Sequence, residues 1–251
     1  MIDKRELLEK SRKKQLNLAM IEKDYVLGWL LFGFSGTDLI FKGGTALSKI
    51  YFPRIWRLSE DLDFSLPKGN FDQLKVSEIL DSVAQKSGIW FRLKNEYRNP
   101  EYLQLKIQYN ALLGKNWAKI DVTTEKVFET LSKKISKTYS DYPSFSMKVM
   151  SIEEIFAEKL RAILERNKTR DYYDIWRILS LDIDKRKVRK IFLKKVKVKD
   201  LGFKGTDQFF PDDLEEILKP YWERELSRLI NEVPNMSRVL RDIENKIQFL
   251  D

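Results

Sequence analysis

The 251-residue sequence contains no cysteine and no histidine. Those absences exclude disulfides, a thiolate nucleophile, a Ser-His-Asp triad and the usual Cys/His zinc sites. Any general base must then be Asp, Glu, Lys or Tyr, or hydroxide bound to a metal. Hard-metal chemistry on carboxylates is the main option left. No apolar run approaches the eighteen or so residues of a membrane span. The amino-terminal MIDKRELLEKSRKK is charged and lacks a signal-peptide core. A soluble, cytoplasmic protein without a membrane partner is expected. There is also no internal repeat and no low-complexity linker.

The composition, 43% hydrophobic with 12% aromatic residues, is that of a folded globular chain. Its length suits one large domain or two small ones. The net charge of +9 attracts polyanions, nucleic acid above all, although a lysine-rich solubility surface gives the same number. A charged fraction of 34% also fits a thermophilic source.

The most informative segment is Lys42–Leu66, KGGTALSKIYFPRIWRLSEDLDFSL. Leu39-Ile40-Phe41 reads as a short strand leading into a Gly43-Gly44-Thr45 turn. Ala46–Tyr51 then starts a helix that Pro53 breaks, and Leu58–Leu66 reads as a second strand. Residues two apart on a strand share a face, so Asp61 and Asp63 project together while Leu62 and Phe64 face a core. Two carboxylates so close repel unless a cation sits between them. Mg²⁺ is the usual one, bound through carboxylates and substrate phosphates. Backbone N–H groups at a glycine turn suit those phosphates. The rival readings are two exposed strand carboxylates, and a glycine pair that only serves a turn needing positive φ. Thr45 and Ser59 could cap backbone groups or reach a phosphate oxygen. Arg57 and Ser59 are placed on the same strand face as the two aspartates.

Gly43-Gly44-Thr45-Ala46-Leu47 followed by Arg57-x-Ser59-x-Asp61-x-Asp63 closely resembles the AbiEii/AbiGii toxin family, which includes the MenT toxins. That family is a branch of the DNA polymerase β-like nucleotidyltransferases. The resemblance covers most of residues 20–180. It implies Mg²⁺ held by Asp61, Asp63 and a third carboxylate, and an NTP substrate positioned by Gly43, Gly44, Thr45, Arg57 and Ser59. Glu22-Lys23-Asp24-Tyr25 resembles a family motif to which no chemistry is assigned.

Residues 3–33 read as one or two helices, and Phe71–Gly88 as an amphipathic helix after a turn at Pro67-Lys68-Gly69-Asn70. Ile89–Glu96, Tyr102–Tyr109 and Ala118–Thr123 alternate with period two, as strands with one buried face do. Lys119, Asp121 and Thr123 then share the polar face of the last. Lys119-Ile120-Asp121-Val122 resembles the strand that carries the third catalytic carboxylate of the superfamily.

A boundary is placed near residue 145, around Tyr142-Pro143-Ser144, giving domains 1–145 and 146–251. Beyond it Ser151-Ile152-Glu153-Glu154 fits a capping box. The helix that follows carries Lys159. By spacing alone Lys159 is a lysine at the edge of an apolar stripe or a partner of Glu158 or Glu154. The family carries a helical lysine in this context, which implies a triphosphate contact. Thr169–Ser180 reads as a helix with Thr169 at its N-cap. Its Arg170-Asp171-x-x-Asp174 resembles a family motif, and Asp174 is expected near the site, whereas acids in a first helical turn also favour the helix dipole.

Lys185–Lys199 has nine basic residues in fifteen and no acid, on a helical apolar stripe. Lys185, Arg186, Lys187, Arg189, Lys190, Lys194 and Lys195 are assigned to RNA phosphates, with a solvated face or an acidic antitoxin surface as the other readings. Asp212–Leu218 and Tyr221–Asn231 read as two closing helices. The expected architecture is α+β: a nucleotidyltransferase-type mixed β-sheet core with flanking helices, then a C-terminal helical domain closing a substrate cleft.

The expected function is a Mg²⁺-dependent nucleotidyltransferase, the toxin of a toxin–antitoxin pair, moving a nucleotide from NTP to RNA. The resemblance implies a tRNA acceptor end and an antitoxin from a neighbouring gene. Asp61, Asp63, Asp121, Lys159 and Asp174 form its catalytic set. The alternatives are transfer to a protein or small molecule, and a non-catalytic RNA- or antitoxin-binding module.

Overall fold

In the computed structural model, which describes residues 1–52, 57–67 and 70–251 with the backbone alone at Gln73, the chain divides into two compact units, Met1–Met150 and Ser151–Asp251. Pro53, Lys68 and Gly69, on which two sequence expectations fall, lie outside the described residues. No helix among the described residues is long and apolar enough to cross a membrane.

In the first unit, α1 (Lys4–Lys14) starts at Asp3, whose side chain accepts from the Glu6 N–H at 2.7 Å. Helix α2 (Leu18–Phe34) starts at Asn17, which accepts from the Ala19 N–H at 2.9 Å. Buried residues lie on all sides of α2, as expected of a helix inside a core. Among the described residues the strands make one seven-stranded sheet in the order β3-β4-β5-β2-β1-β7-β6. They are β1 (Ile40–Lys42), β2 (Asp61–Ser65), β3 (Trp90–Asn99), β4 (Tyr102–Ala111), β5 (Gly114–Thr123), β6 (Thr130–Lys134) and β7 (Ser146–Met150). Parallel pairs β2–β5 and β1–β7 among antiparallel ones make the sheet mixed. The short α3 (Gly43–Ala46) runs on as a π-helical turn, Leu47–Tyr51, and α4 (Val76–Ser87) precedes β3.

Alternation along the central strands sorts the side chains. Leu62, Phe64, Leu103, Leu105, Ile120 and Val122 are all buried. Phe64 packs on Phe34 of α2 and Phe41 of β1, with centroids 6.0 and 5.5 Å apart. The polar residues between them go to the opposite face.

Strand β2 starts at Asp61 rather than Leu58, so Arg57 and Ser59 precede the strand and are not placed by its alternation. Strands β6 and β7 were not anticipated. The sheet therefore runs past the turn at Tyr142-Pro143, into a stretch that reads as helical in the sequence.

The second unit is helical: α5 (Ile152–Glu165), α6 (Thr169–Ile178), α7 (Lys185–Val198), α8 (Leu214–Leu226) and α9 (Met236–Lys246). Ser151 caps α5 by accepting from the Glu154 N–H at 3.3 Å. The N-cap of α6 is Lys168, and the Thr169 hydroxyl instead donates to Glu225 at 2.6 Å. The two closing helices of the sequence reading are one, α8, which continues through Pro220.

The basic helix α7 packs along α5. Its Lys195 is 1% exposed, with Nζ 2.9 Å from Glu154 Oε1 and 2.8 Å from Glu158 Oε1. Burial opposes its charge, but the two glutamates outweigh that and hold the ammonium pKa above its ordinary value. Lys195 is thus an internal counter-ion and not, as the charge run implies, an RNA contact. Removing it as Lys195→Ala breaks ion pairs to two glutamates, one of them fully buried, and a loss of about 3–5 kcal/mol is expected in urea denaturation. The apolar double variant Lys195→Met/Glu154→Leu should recover part of that loss, since it removes the buried carboxylate along with its ammonium.

Candidate active site

In the sheet register, Asp63 lies opposite Asp121 and Asp61 opposite Lys119. Gln104 of β4 lies opposite Asp121 on its other side. Paired residues share a face, so Asp61, Asp63, Asp121, Lys119 and Gln104 all belong to the polar side of β2, β5 and β4.

Asp121 is fixed by hydrogen bonds. Its Oδ1 accepts from the Tyr102 hydroxyl at 2.6 Å and from Gln104 Nε2 at 3.0 Å. Its Oδ2 faces Lys119 Nζ at 2.8 Å, and the same ammonium is 3.6 Å from Asp61 Oδ2. Burial, then the bond to Asp121, pushes the Tyr102 hydroxyl up to about 12, so Tyr102 stays a donor at neutral pH. Burial raises the Asp61 carboxyl above the ordinary aspartate value, Lys119 and Lys23 pull it back, and Asp121 adds to the rise. For Lys119, burial works against the charge. The bond to Asp121 and the fields of Asp61, Asp121 and Asp63 outweigh it and raise the pKa.

The glycine turn lies directly against this group. Gly43 has φ 74°, and a methyl added there would meet the Asp63 carboxylate, with Cβ and Cγ at 2.9 Å. A methyl on Gly44 would run into the Arg57 guanidinium and come within 3.5 Å of Ser59 Oγ. Packing therefore gathers Gly44, Arg57 and Ser59. Arg57 is buried, and its Nη1 donates to the Leu58 carbonyl at 2.9 Å. The Thr45 hydroxyl donates to the Asp61 carbonyl, tying the turn to β2.

Lys119, Tyr102 and Gln104 were not assigned to the site from the sequence. The phase of β5 puts Lys119 on the face of Asp121, but the pairing that brings in Tyr102 and Gln104 is written in no local pattern. Among the described residues no group of three carboxylates is arranged to enclose a metal ion as it stands. The donor set itself, three hard oxygen ligands on one face, suits a cation of the Mg²⁺ type.

The family model described as "Nucleotidyl transferase AbiEii toxin, Type IV TA system" matches residues 28–248. The chain belongs to the AbiEii nucleotidyltransferase toxin family. On the C-terminal side the match runs past the stretch whose motifs carry the resemblance. None of the curated proteins matches the chain. Among solved structures it is similar to MenT4, a nucleotidyltransferase toxin from Mycobacterium tuberculosis H37Rv, at TM-score 0.73 and 21% identity, over 100% of this chain and 90% of that one. It is also similar to JHP933 from Helicobacter pylori, at TM-score 0.61 and 17% identity, over 94% and 93% of the two chains.

In this AbiEii chain the remaining candidate residues belong to the second unit. Lys159 Nζ lies 2.6 Å from Asp171 Oδ1 and 2.9 Å from Asp174 Oδ2. Both carboxylates are buried, and Asp171 Oδ2 also faces Arg166 Nε at 3.2 Å. The Lys-and-Asp motifs of α5 and α6 thus form one charged cluster, with the lysine oriented by both aspartates. Burial disfavours the Asp171 charge, yet Lys159 and Arg166 prevail and hold the carboxyl below its ordinary value.

Two outcomes are expected. Gly43→Ala should cost roughly 1–3 kcal/mol in chemical denaturation, because a side chain at this φ is strained and its methyl strikes Asp63. A carboxyl whose folded pKa is depressed stabilises the protein above its unfolded value and loses that contribution as pH falls through the folded one. Asp171 should therefore add stability that is complete at neutral pH and fades below pH 3.8. Asp171→Asn should flatten that part of the acid-unfolding profile.

Proposed function

We propose that this AbiEii toxin transfers a nucleotide from NTP to RNA, with a tRNA 3′ end as acceptor, in a Mg²⁺-dependent reaction in the cytoplasm. The observation that carries the reading is the register of Asp61, Asp63 and Asp121 on one sheet face, with a glycine turn packed against Asp63. Asp61, Asp63 and Asp121 would hold the metal. When bound, Mg²⁺ supplies charge neutralisation on the triphosphate and lowers the pKa of the attacking hydroxyl.

The chain's own residues do the rest. Tyr102 and Gln104 orient Asp121, which accepts the proton as the acceptor hydroxyl attacks the α-phosphorus and the bond to pyrophosphate breaks. The Gly43-Gly44 turn would offer backbone N–H groups to phosphate, and Arg57 and Ser59, packed against Gly44, would add positive charge and a hydroxyl. Lys159, oriented by Asp171 and Asp174, is assigned to the triphosphate. On α7, Lys185, Arg186, Arg189, Lys190 and Lys194 are exposed and supply the phosphate-binding surface. Arg189 is partly committed, since it donates to the carbonyls of Leu250 and Asp251 at 3.0 Å. Lys187 lies 3.7 Å from Glu153. An antitoxin protein is the expected partner of a toxin of this type.

The test supplies Mg²⁺, each α-³²P-labelled NTP in turn and total tRNA to wild type, Asp61→Ala and Lys159→Ala. Label entering tRNA with wild type, and reduced at least about a hundredfold in both variants, is the expected result. Label on protein would move the acceptor assignment. No label with any NTP would overturn transfer to these substrates.

A further inference from the structure

Lys119 of β5 holds its ammonium against two acids of the candidate site. An ordinary surface ion pair joins two groups, whereas this ammonium lies between two carboxylates that otherwise repel, at 2.8 Å from Asp121 and 3.6 Å from Asp61. Tyr102 and Gln104 already hold Asp121 Oδ1, which turns Oδ2 to Lys119. A divalent ion shared by Asp61 and Asp121 needs that same oxygen and the same space. The lysine is 40% exposed on a flexible stem, so it can leave without disturbing β5.

We propose that Lys119 is a built-in counter-ion that occupies the cation place between Asp61 and Asp121 and must be displaced when the metal binds. This rests on the reading that Asp61, Asp63 and Asp121 hold a divalent cation. Ammonium and metal are mutually exclusive at Asp121 Oδ2, so each metal-binding event includes the cost of breaking the lysine contacts. The lysine also relieves carboxylate repulsion in the metal-free protein, so the enzyme need not carry a metal to keep its sheet register. Once displaced, the ammonium remains beside the site on a stem long enough to follow the negative charge that NTP brings.

Lys106 is the natural control. It lies opposite Lys119 on β4 and shares its face, but its ammonium sits 4.8 Å over the Trp117 ring. Its removal reports the general effect of deleting a nearby positive charge. The experiment titrates Mn²⁺ alone into wild type, Lys119→Met, Lys119→Gln, Lys106→Met and Asp61→Asn, following free Mn²⁺ by electron paramagnetic resonance. Melting temperatures with and without Mn²⁺ are read in parallel.

The expected result is Asp61-dependent binding that tightens about tenfold in both Lys119 variants and less than about twofold in Lys106→Met. The Lys119 variants should also melt lower without metal and gain more from Mn²⁺. If binding depends on Asp61 but the Lys119 variants bind no tighter than Lys106→Met, the counter-ion role is overturned and the metal reading stands. If no protein shows Asp61-dependent binding, both are overturned.

Discussion

Like charges gathered on one face of the central strands are the constraint around which the first unit is arranged. Two carboxylates 4 Å apart repel by about 4 kcal/mol at an effective dielectric constant of 20. Strands β2 and β5 could escape that by slipping one residue, which would send the acids to the other face. The slip is blocked from behind. Leu62, Phe64, Ile120 and Val122 are all buried, and each is worth about 1.5–3 kcal/mol out of water. Four such residues outweigh one repulsion, so the apolar face sets the register and the polar face accepts the strain. What relieves the strain is local: the Lys119 ammonium, the donors Tyr102 and Gln104, and the fields around Asp61.

A second set of polar contacts holds the frame around that face. Glu22 is buried, and its Oε1 accepts from the Leu113 N–H at the β4–β5 turn at 2.6 Å. Two residues on, Asp24 pairs with buried Lys49 at 2.9 Å and accepts from the Tyr139 hydroxyl at 3.1 Å. Lys49 belongs to the π-helical turn that continues the glycine segment. Helix α2 thus ties the hairpin carrying Asp121 to the turn that backs Asp63, through groups whose burial would be costly without partners. The Glu22-Lys23-Asp24-Tyr25 motif is accordingly an anchor at Glu22 and Asp24. Lys23, between them, contributes positive potential at Asp61.

Much of this was legible in the sequence where one periodicity dominates. Strands β4 and β5 alternate cleanly, and the phase of β5 alone puts Asp121 on the polar face. The Asp61-x-Asp63 pair follows from the same rule. Legibility fails where placement depends on a partner far along the chain. Strand β7 is not legible because Ser146–Met150 is short and is placed by its neighbours β1 and β6. Arg57 and Ser59 were put on a strand that starts four residues after Arg57, because packing against Gly44 places them and periodicity does not. Pro220 falls between the two closing helices of the sequence reading, yet α8 runs through it, with Leu218 and Trp222 buried on either side. Thr169 was a reasonable cap by type, but its hydroxyl is used by Glu225, fifty-six residues away.

The basic helix shows why a charge count is a poor guide to an interface. Net charge says how strongly a chain attracts polyanions, not where it holds them. Helix α7 has an apolar stripe, and a lysine at its margin must either reach water or meet an acid inside. Lys195 meets Glu154 and Glu158, whose acidity was assigned in the sequence to α5 alone. Glu154 thereby serves twice, its backbone N–H bound by the Ser151 cap and its carboxylate by Lys195. Part of the charge of α7 therefore fastens it to α5, and the exposed part faces outward. Any polyanion that meets α7 meets that second part, on a helix fastened to α5 by the first. Spending some cations internally is what keeps the others in a fixed array, since four or five lysines and arginines on a frayed segment would offer charge without geometry.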